Sequence, residues 1–256
     1  MTNWNPDQYL KFARERTQAS VDLASRIEVE NPKSVIDIGC GPGNSTHVLR
    51  EKWPDARFTG LDSSREMIDK AKAGFPDSEW ILGDACSYGF TSQYDVVFSN
   101  AAIQWMPDHE ELVPKLFSIV RQGGALAVQI PADQDSPIRR SLLSVSSRER
   151  WTKYTSGCER MTNYRTAEYY YDIITRLSKR SQLWETIYYH VLDSPSALIE
   201  WYKGTAMRPF LESLPDDGSR NEFENDVLAG CRDEYEVRRD GHVLYPFRRI
   251  FFLVYR

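Results

Sequence analysis

The chain has 256 residues, of which 41% are hydrophobic and 27% charged, a balance typical of a globular protein with a substantial core. Its net charge of −5 disfavours nucleic acid as a partner, because binding a phosphate backbone usually needs an electropositive surface. No stretch reaches the roughly 18 apolar residues of a membrane span, and residues 1–7 lack the features of a secretory signal. We therefore expect a cytoplasmic protein with no membrane partner and, from its dispersed cysteines, no metal.

The first 130 residues alternate short apolar runs with amphipathic stretches, the pattern of parallel strands joined by crossover helices. We predict strands at 34–38, 57–61, 79–82, 95–99 and 125–130, and helices at 44–52, 64–73 and 110–120. Right-handed connections then give a Rossmann-like, doubly wound sheet of the α/β class. Residues before the first strand, including Tyr9, are expected to form helices that either close over the ligand edge of the sheet or pack on its flank.

After residue 130 the pattern becomes mainly helical. We predict helices at 138–150 and 167–177, a strand at 183–192, a helical block at 196–235, and a buried C-terminal antiparallel strand at 249–255. Pro209 interrupts the block, and Pro-Asp-Asp-Gly at 215–218 has the composition of a turn. We interpret the chain as one domain, residues 1–256, with a helical lid at 1–30, a cofactor-binding core at 31–131 and a helical cap over the substrate at 194–240.

A glycine-rich loop, Gly39-Cys-Gly41-Pro-Gly, follows the first predicted strand and opens a helix. Asp37 stands two residues before its first glycine. Such a loop lets the backbone approach a ligand closely. The dinucleotide pattern G-x-G-x-x-G needs a glycine at position 44, where Asn44 stands, and the Asp37 carboxylate would repel a pyrophosphate. That carboxylate can instead orient the ammonium of an amino-acid moiety, directly or through water. The loop therefore disfavours a nucleotide-dependent oxidoreductase and favours another adenosine-type ligand.

Polar side chains also follow the next three predicted strands. Asp62 ends the second strand, where a carboxylate can accept hydrogen bonds from both ribose hydroxyls, and Asp84 with Ala85 follows the third, where adenine can be bound. Each residue also has a structural interpretation as a cap, turn or core residue. Because parallel strands end at one edge of a sheet, their convergence favours a shared ligand site. Further candidates at this edge are Ser63, Met67, Asn100, Gln104 and Trp105.

Three segments carry a resemblance to the class I methyltransferases that bind S-adenosylmethionine. They are Val-Ile-Asp-Ile-Gly-Cys-Gly-Pro-Gly-Asn-Ser-Thr at 35–46, Gly-Leu-Asp-Ser-Ser at 60–64 and Ser-Asn-Ala-Ala-Ile-Gln-Trp at 99–105. More narrowly, the chain resembles the trans-aconitate methyltransferase family, as in Trp-Met-Pro-Asp-His at 105–109 and Met-Arg-Pro-Phe-Leu at 207–211. The resemblance implies methyl transfer from S-adenosylmethionine to a carboxylate of trans-aconitate or a close polycarboxylic acid, yielding the monomethyl ester and S-adenosylhomocysteine.

An acceptor carboxylate is ionised at neutral pH, so we expect a positioning mechanism with no general base. Its other carboxylates need cationic or hydrogen-bonding partners when buried. On a helix, Trp201, Thr205 and Arg208 would share one face at i, i+4 and i+7. On a strand, Tyr188 and His190 would point the same way. These residues, with Tyr9, are the predicted substrate-binding set.

These residues could instead have purely structural roles. In that case Trp201 would belong to the core and Arg208 would pair with a nearby surface acid. Of the adjacent Arg248 and Arg249, at most one can face a pocket from a strand, and we expect His109 at the surface or in a cap. Two other functions also stay open: a non-catalytic S-adenosylmethionine-binding or regulatory module, and a methyltransferase with a different small acceptor. The oligomeric state is left unknown.

Overall fold

Seven strands form one sheet in the computed structural model, which describes the chain from residue 13 onward and its side chains from residue 17 onward. The strands are β1 (Ser34–Ile38), β2 (Arg57–Asp62), β3 (Glu79–Leu82), β4 (Tyr94–Asn100), β5 (Val120–Pro131), β6 (Ser181–Leu192) and β7 (Val243–Tyr255). Their order across the sheet is β3-β2-β1-β4-β5-β7-β6. The five strands predicted in the first half of the chain are thus all present.

Strands β1 to β5 are parallel to one another, whereas β7 runs antiparallel between β5 and β6. This order confirms the predicted α/β fold with an antiparallel C-terminal strand. The chain winds outward from β1 in both directions, so the order reverses between β1 and β4. The carboxyl ends of these two strands therefore flank the crevice where ligands bind in open α/β sheets.

Helices cover both faces of this sheet. They are α1 (Ala13–Ser25), α2 (Asn44–Lys52), α3 (Arg65–Gly74), α4 (His109–Ser118), α5 (Pro137–Ser146), α6 (Glu149–Thr155), α7 (Ala167–Leu177), α8 (Ser196–Lys203), α9 (Arg208–Ser213) and α10 (Asp217–Cys231). The apolar side chains of α1 and α2 share a core on one face, and those of α4 and α7 share a core on the other. From residue 13 onward, no helix combines the length and apolar character that crossing a bilayer requires.

The predicted cap region carries α8, α9 and α10, which share a core with the first half of β7. Trp201, Phe210 and Phe223 are buried there with Tyr245 and Phe247 of the strand. Since each large aromatic ring removes much apolar surface from water, this packing holds the cap region against the sheet. The division of the chain into lid, core and cap stays a prediction.

One local prediction in the second half is wrong, and another is only partly met. The helix expected at 138–150 is interrupted after Ser146, where the hydroxyls of Ser146 and Ser147 donate to nearby backbone carbonyls and compete with helical hydrogen bonds. The turn expected at 215–218 lies at the break between α9 and α10, where residues 214–216 form a bend, but its last two residues already belong to α10. Asp216 is its N-cap, because its side chain accepts a hydrogen bond from the amide of Ser219 at 2.7 Å.

Candidate active site

One cavity of about 720 Å³ lies at the carboxyl edge of the parallel strands and extends under the cap region. Its volume falls within the range of small-molecule binding sites. The wall formed by the first half of the chain includes most of the predicted cofactor residues: Gly39, Gly41, Asp62, Ser63, Met67, Asp84, Ala85, Asn100, Gln104 and Trp105. The opposite wall includes Trp201 and Arg208 from the predicted substrate set. Candidate residues from both halves of the chain therefore meet around one space.

The glycine loop is fixed by positive φ angles and by the lack of a side chain. Gly39 has φ +68°, and a Cβ added to it would lie 2.3 Å from Cβ of Ala102. Its amide donates to the carbonyl of Leu61 at 2.7 Å, which ties the loop to β2. At Gly41, with φ +56°, an added Cβ would meet no atom within 4 Å among the described residues. A ligand can therefore approach the backbone most closely at Gly41.

Asp37 lies behind this loop and is not part of the cavity wall. Its Oδ2 accepts hydrogen bonds from the hydroxyls of Ser45 at 2.6 Å and Thr46 at 2.7 Å, at the start of α2. Its Oδ1 is buried and has no hydrogen-bond partner among the residues that the structure describes. Burial raises the pKa of Asp37 to about 6, against the lowering effect of the two hydroxyls. Its placement makes it an anchor of the loop, and its contact with an ammonium group stays a prediction.

Asp62 presents its carboxylate at the cavity wall beside the loop. One oxygen accepts from the amide of Gly41 at 2.9 Å and the other from the amide of Ser64 at 2.8 Å. Burial raises the pKa of Asp62, while these backbone amides oppose the shift. A carboxylate has about four lone-pair directions, so each oxygen can accept one further hydrogen bond. The side chain is thus held in place with capacity left for two hydroxyl donors.

The ends of β2 and β3 supply the next part of the wall. Asp84 is exposed, and its Oδ1 accepts from the amide of Cys86 at 2.9 Å, which fixes the carboxylate beside the backbone of Ala85. Ser63 is also exposed, whereas Met67 is buried in the first turn of α3. The wall here combines a polar rim with an apolar floor, which suits a flat heterocycle with polar edges.

At the end of β4 and in the turn that follows it, two side-chain oxygens are buried in the cavity wall. Oδ1 of Asn100 and Oε1 of Gln104 have no hydrogen-bond partner within residues 17–256. The Gln104 amide group donates to the carbonyl of Ala101 at 2.7 Å, so its oxygen faces away from that contact. Buried polar atoms are normally satisfied, and these two are therefore acceptors available to a ligand. Trp105 stands beside them, half-buried.

His109 supports this turn, and the expectation that it lies at the surface is wrong. Its side chain is buried, with Nε2 2.8 Å from the carbonyl of Ile103 and 3.1 Å from that of Met106. Nδ1 contacts the hydroxyl of Tyr170 at 2.8 Å. Burial lowers the pKa of His109, which favours the neutral ring that these contacts require.

The cap wall contains Trp201, Thr205 and Arg208, but these three do not share one helix face. Helix α8 ends at Lys203, and two tight turns precede α9, so the helical spacing is broken at Gly204. Because of these turns, all three side chains still line the cavity although they do not follow one helical spacing. Arg208 has a guanidinium in contact with Glu212, with Nε 3.0 Å from Oε1. Burial lowers the pKa of Arg208 without removing its charge.

Tyr188 and His190 share a face of β6, as predicted, but neither lines the cavity. The Tyr188 hydroxyl donates to the carboxylate of Asp22 on α1. The His190 ring lies against Trp201, with 4.4 Å between ring centroids, and thus packs behind a residue of the wall. Tyr9 lies outside the described residues. The roles of these three side chains in substrate binding stay predictions.

Three residues of the wall were missed or only weakly indicated by the sequence: Asp133, Tyr164 and Arg249. Arg249 is 3% exposed, so it is the member of the adjacent arginine pair that faces inward. Arg248 points away and contacts Glu185 at 3.4 Å. The signal in the sequence for a role of Arg249 is that a charged residue begins an otherwise apolar strand segment, residues 249–255. Asp133 follows β5 and Tyr164 precedes α7, and no sequence motif marks either residue as part of a site.

Asp133 carries a buried carboxyl group among hydroxyl donors. It accepts hydrogen bonds from the hydroxyls of Tyr202 and Tyr245, the latter at 3.2 Å. Burial raises the pKa of Asp133 to about 7, against the effects of hydroxyl donors and of Arg139 and Arg249. The carboxyl group therefore changes charge near neutral pH.

Along the described chain, no three His, Cys, Asp or Glu side chains are grouped where they could hold a metal ion.

Comparison with known proteins identifies the family. A family model described as a methyltransferase domain matches residues 35–124, which include the glycine loop. The trans-aconitate 2-methyltransferase of Azoarcus sp. (strain BH72) is 39% identical over 256 residues, covering 100% of both chains. That of Rhodopseudomonas palustris (strain BisB5) is 39% identical over 254 residues, covering 99% of each.

A solved structure agrees with the fold. The crystal structure of coclaurine N-methyltransferase, bound to N-methylheliamine and S-adenosylhomocysteine, has a TM-score of 0.55 to this chain. It is 15% identical, and the match covers 93% of this chain and 72% of that one, which is a likeness of fold alone. The full-length relatives carry the assignment further: the chain belongs to the trans-aconitate 2-methyltransferase family.

Proposed function

We propose that this protein transfers a methyl group from S-adenosylmethionine to a carboxylate of trans-aconitate, or of a close small polycarboxylic acid, giving the monomethyl ester and S-adenosylhomocysteine. The observation that carries the proposal is the single cavity in which the glycine loop and Asp62 face a wall containing Arg208 and Arg249. An adenosine-type cofactor suits the first wall, and an anionic acceptor suits the second. The names of the full-length relatives specify the acceptor.

The residues of the first wall fit S-adenosylmethionine. The Asp62 carboxylate is suited to the two ribose hydroxyls, and Asp84 with the amide of Ala85 is suited to adenine. The unpartnered oxygens of Asn100 and Gln104 are acceptors for the ammonium of the methionine part. When bound, the cofactor supplies a sulfonium methyl group, to which a carboxylate oxygen bonds as the carbon–sulfur bond breaks and its electron pair stays on sulfur.

The protein's own contribution is placement of the acceptor. A carboxylate is already ionised at neutral pH, so no side chain has to remove a proton from it. Arg208 and Arg249 can hold the acid by charge-assisted hydrogen bonds, with Trp201 as an apolar wall beside it. Correct placement of reacting groups is worth up to about 7–11 kcal/mol in favourable cases. We therefore assign no general base, and we assign substrate contact to Trp201 and Arg208.

The proposal is tested by incubating the purified protein with methyl-labelled S-adenosylmethionine and trans-aconitate, citrate, succinate or acetate. We expect a labelled product that releases methanol in mild base, formed fastest with trans-aconitate. Base-labile product separates an ester from a methyl ether, and thus a carboxyl acceptor from a hydroxyl acceptor. Binding of S-adenosylhomocysteine without any labelled acid would contradict the proposal and favour the non-catalytic module.

A further inference from the structure

Arg249 lines the cavity, and the pairing of β7 with β5 determines where in the wall it lies. It pairs with Pro131, the last residue of β5, so it lies at the same edge as the ends of the parallel strands. Its Nη1 donates to Oε1 of Gln129 at 3.1 Å, and Gln129 is fully buried. This bond fixes the orientation of the Gln129 amide group and holds the guanidinium at the wall.

The register also places Arg249 on the same face of the sheet as a candidate cofactor residue. Asn100 on β4 pairs with Gln129 on β5, and Gln129 pairs with Phe251 on β7. Paired residues share a face, and so do residues two apart on one strand, which includes Arg249. Asn100 and Arg249 are two strand spacings apart across the sheet, at about 4.8 Å each, and Arg249 is also offset by two residues along β7. Arg249 therefore faces the same side of the sheet as a residue proposed to hold the methionine part of the cofactor.

A second buried guanidinium stands behind this wall. Arg139 on α5 is 4% exposed, and its Nη2 donates to the hydroxyl of Thr162 at 2.9 Å. Its guanidinium lies 5.3 Å from the ring centroid of Tyr164, which lines the cavity. Nη1 of Arg139 is buried with no hydrogen-bond partner in the described part of the chain. A buried donor on a charged group is costly unless a ligand or neighbour satisfies it.

One acid interacts with both guanidiniums. The Asp133 carboxyl group attracts Arg139 and Arg249, but it is also engaged by the hydroxyls of Tyr202 and Tyr245. Burial and the Asp133 carboxyl group raise the pKa of the Tyr164 phenol, whereas Arg139 and Arg249 oppose the shift. This part of the wall thus concentrates positive charge around a phenol that can donate a hydrogen bond.

We propose that Arg249, with Tyr164 and with Arg139 behind it, forms a subsite for a carboxylate of the acceptor that is not methylated. The subsite makes the enzyme select acids with two or more carboxylates, because a monocarboxylate cannot occupy it and also present an oxygen to the methyl group. The inference rests on the proposed function for its acceptor. It adds Tyr164 and Arg139, which the sequence analysis did not single out, to Arg249, which that analysis named only as one of two adjacent candidates.

The test compares Arg249→Gln with Arg248→Gln, a matched control whose guanidinium lies on the opposite face. Binding of trans-aconitate to the protein–S-adenosylhomocysteine complex is measured by calorimetry, which needs no turnover. We expect Arg249→Gln to weaken trans-aconitate binding about tenfold or more, as for loss of a buried charge-assisted contact, and Arg248→Gln to leave it unchanged. Affinity for S-adenosylhomocysteine should stay the same in both variants, which also reports that they are folded. Tyr164→Phe, which removes only the hydroxyl, should weaken trans-aconitate binding by a smaller factor.

A second readout is the ratio of kcat/KM for trans-aconitate to that for acetate. Arg249→Gln should lower this ratio about tenfold or more by slowing turnover of the tricarboxylate alone. Unchanged trans-aconitate affinity in both Arg249→Gln and Tyr164→Phe would overturn the subsite while methylation by the unaltered protein upheld the proposed function. Arg249-dependent binding without methylation would uphold the subsite and contradict the proposed function. Absence of both binding and methylation in the unaltered protein would overturn both.

Discussion

The hydroxyl of Tyr170 lies 2.8 Å from Nδ1 of His109, although the two residues are 61 positions apart in the chain. The His109 ring also bonds to the carbonyls of Ile103 and Met106 through Nε2. Helix α7 thereby supports the turn that brings Gln104 to the cavity. The neutral ring donates at Nε2 and accepts at Nδ1, a tautomer that is set by these partners.

Tyr170→Phe should lower the free energy of unfolding by about 1–3 kcal/mol, because it leaves Nδ1 of a buried histidine without a donor. Urea denaturation measures this change. The control is Tyr171→Phe, since Tyr171 is 55% exposed and its loss of a hydroxyl should have little effect. We also expect weaker binding of S-adenosylhomocysteine in Tyr170→Phe. Equal stabilities of the two variants would contradict the supporting role of the contact.

Asp62→Asn should weaken S-adenosylhomocysteine binding about tenfold or more, because a carboxylate that can accept from ribose hydroxyls is replaced by a group with a single acceptor. Calorimetry measures the affinity, with the exposed Asp69→Asn as the control. A 2′-deoxyribose analogue separates ligand contact from loop support. The substitution should affect the analogue less than the parent ligand, whereas an equal loss for both would assign Asp62 to loop support alone.

Gly39→Ala should destabilise the protein more than Gly41→Ala. Both glycines have positive φ, but only at position 39 would the new methyl group collide with another side chain, Cβ of Ala102 at 2.3 Å. The left-handed conformation alone costs roughly 1–2 kcal/mol for a residue with a Cβ. Thermal unfolding of both variants, and of Gly39→Ala combined with Ala102→Gly, measures the extra cost. Failure of the second substitution to restore stability would show that the collision is not its source.

The KM for trans-aconitate should rise several-fold between pH 6 and pH 8. Burial raises the pKa of Asp133 to about 7, so its carboxyl group is neutral below this pH and negative above it. The negative form competes with the substrate for Arg139 on α5 and Arg249 on β7, while its hydroxyl partners on α8 and β7 do not change charge in this range. Steady-state kinetics across this range measure the effect. Asp133→Asn should flatten the profile, and an unaltered profile in that variant would contradict this assignment.

The parallel half of the fold could be predicted because its signals are local. Helix α2 and strand β1 have the predicted bounds, since apolar periodicity marks each element and the glycine loop separates the two. The convergence of Asp62, Asp84 and Asn100 followed from one rule, that parallel strands end at a common edge. These positions needed no knowledge of contacts distant in sequence.

The acceptor side could not be predicted in the same way. Arg249 reaches the cavity only because β7 pairs antiparallel with β5 in a register that sets it opposite Pro131, and nothing in the local sequence encodes that register. The predicted helical face from Trp201 to Arg208 does not exist, because the chain turns at Gly204. The sequence led to His109 being expected at the surface or in a cap, because the partner that reaches its ring from α7 is a tertiary contact.

In the proposed mechanism an ionised carboxylate accepts the methyl group without a general base. The most direct measurement is turnover of trans-aconitate in weak buffer, with methyl ester, S-adenosylhomocysteine and released protons quantified together at short times. We predict one ester and one S-adenosylhomocysteine per turnover and no proton, because no O–H bond is broken. One proton per S-adenosylhomocysteine, or S-adenosylhomocysteine formed without an ester of trans-aconitate, would contradict the claim.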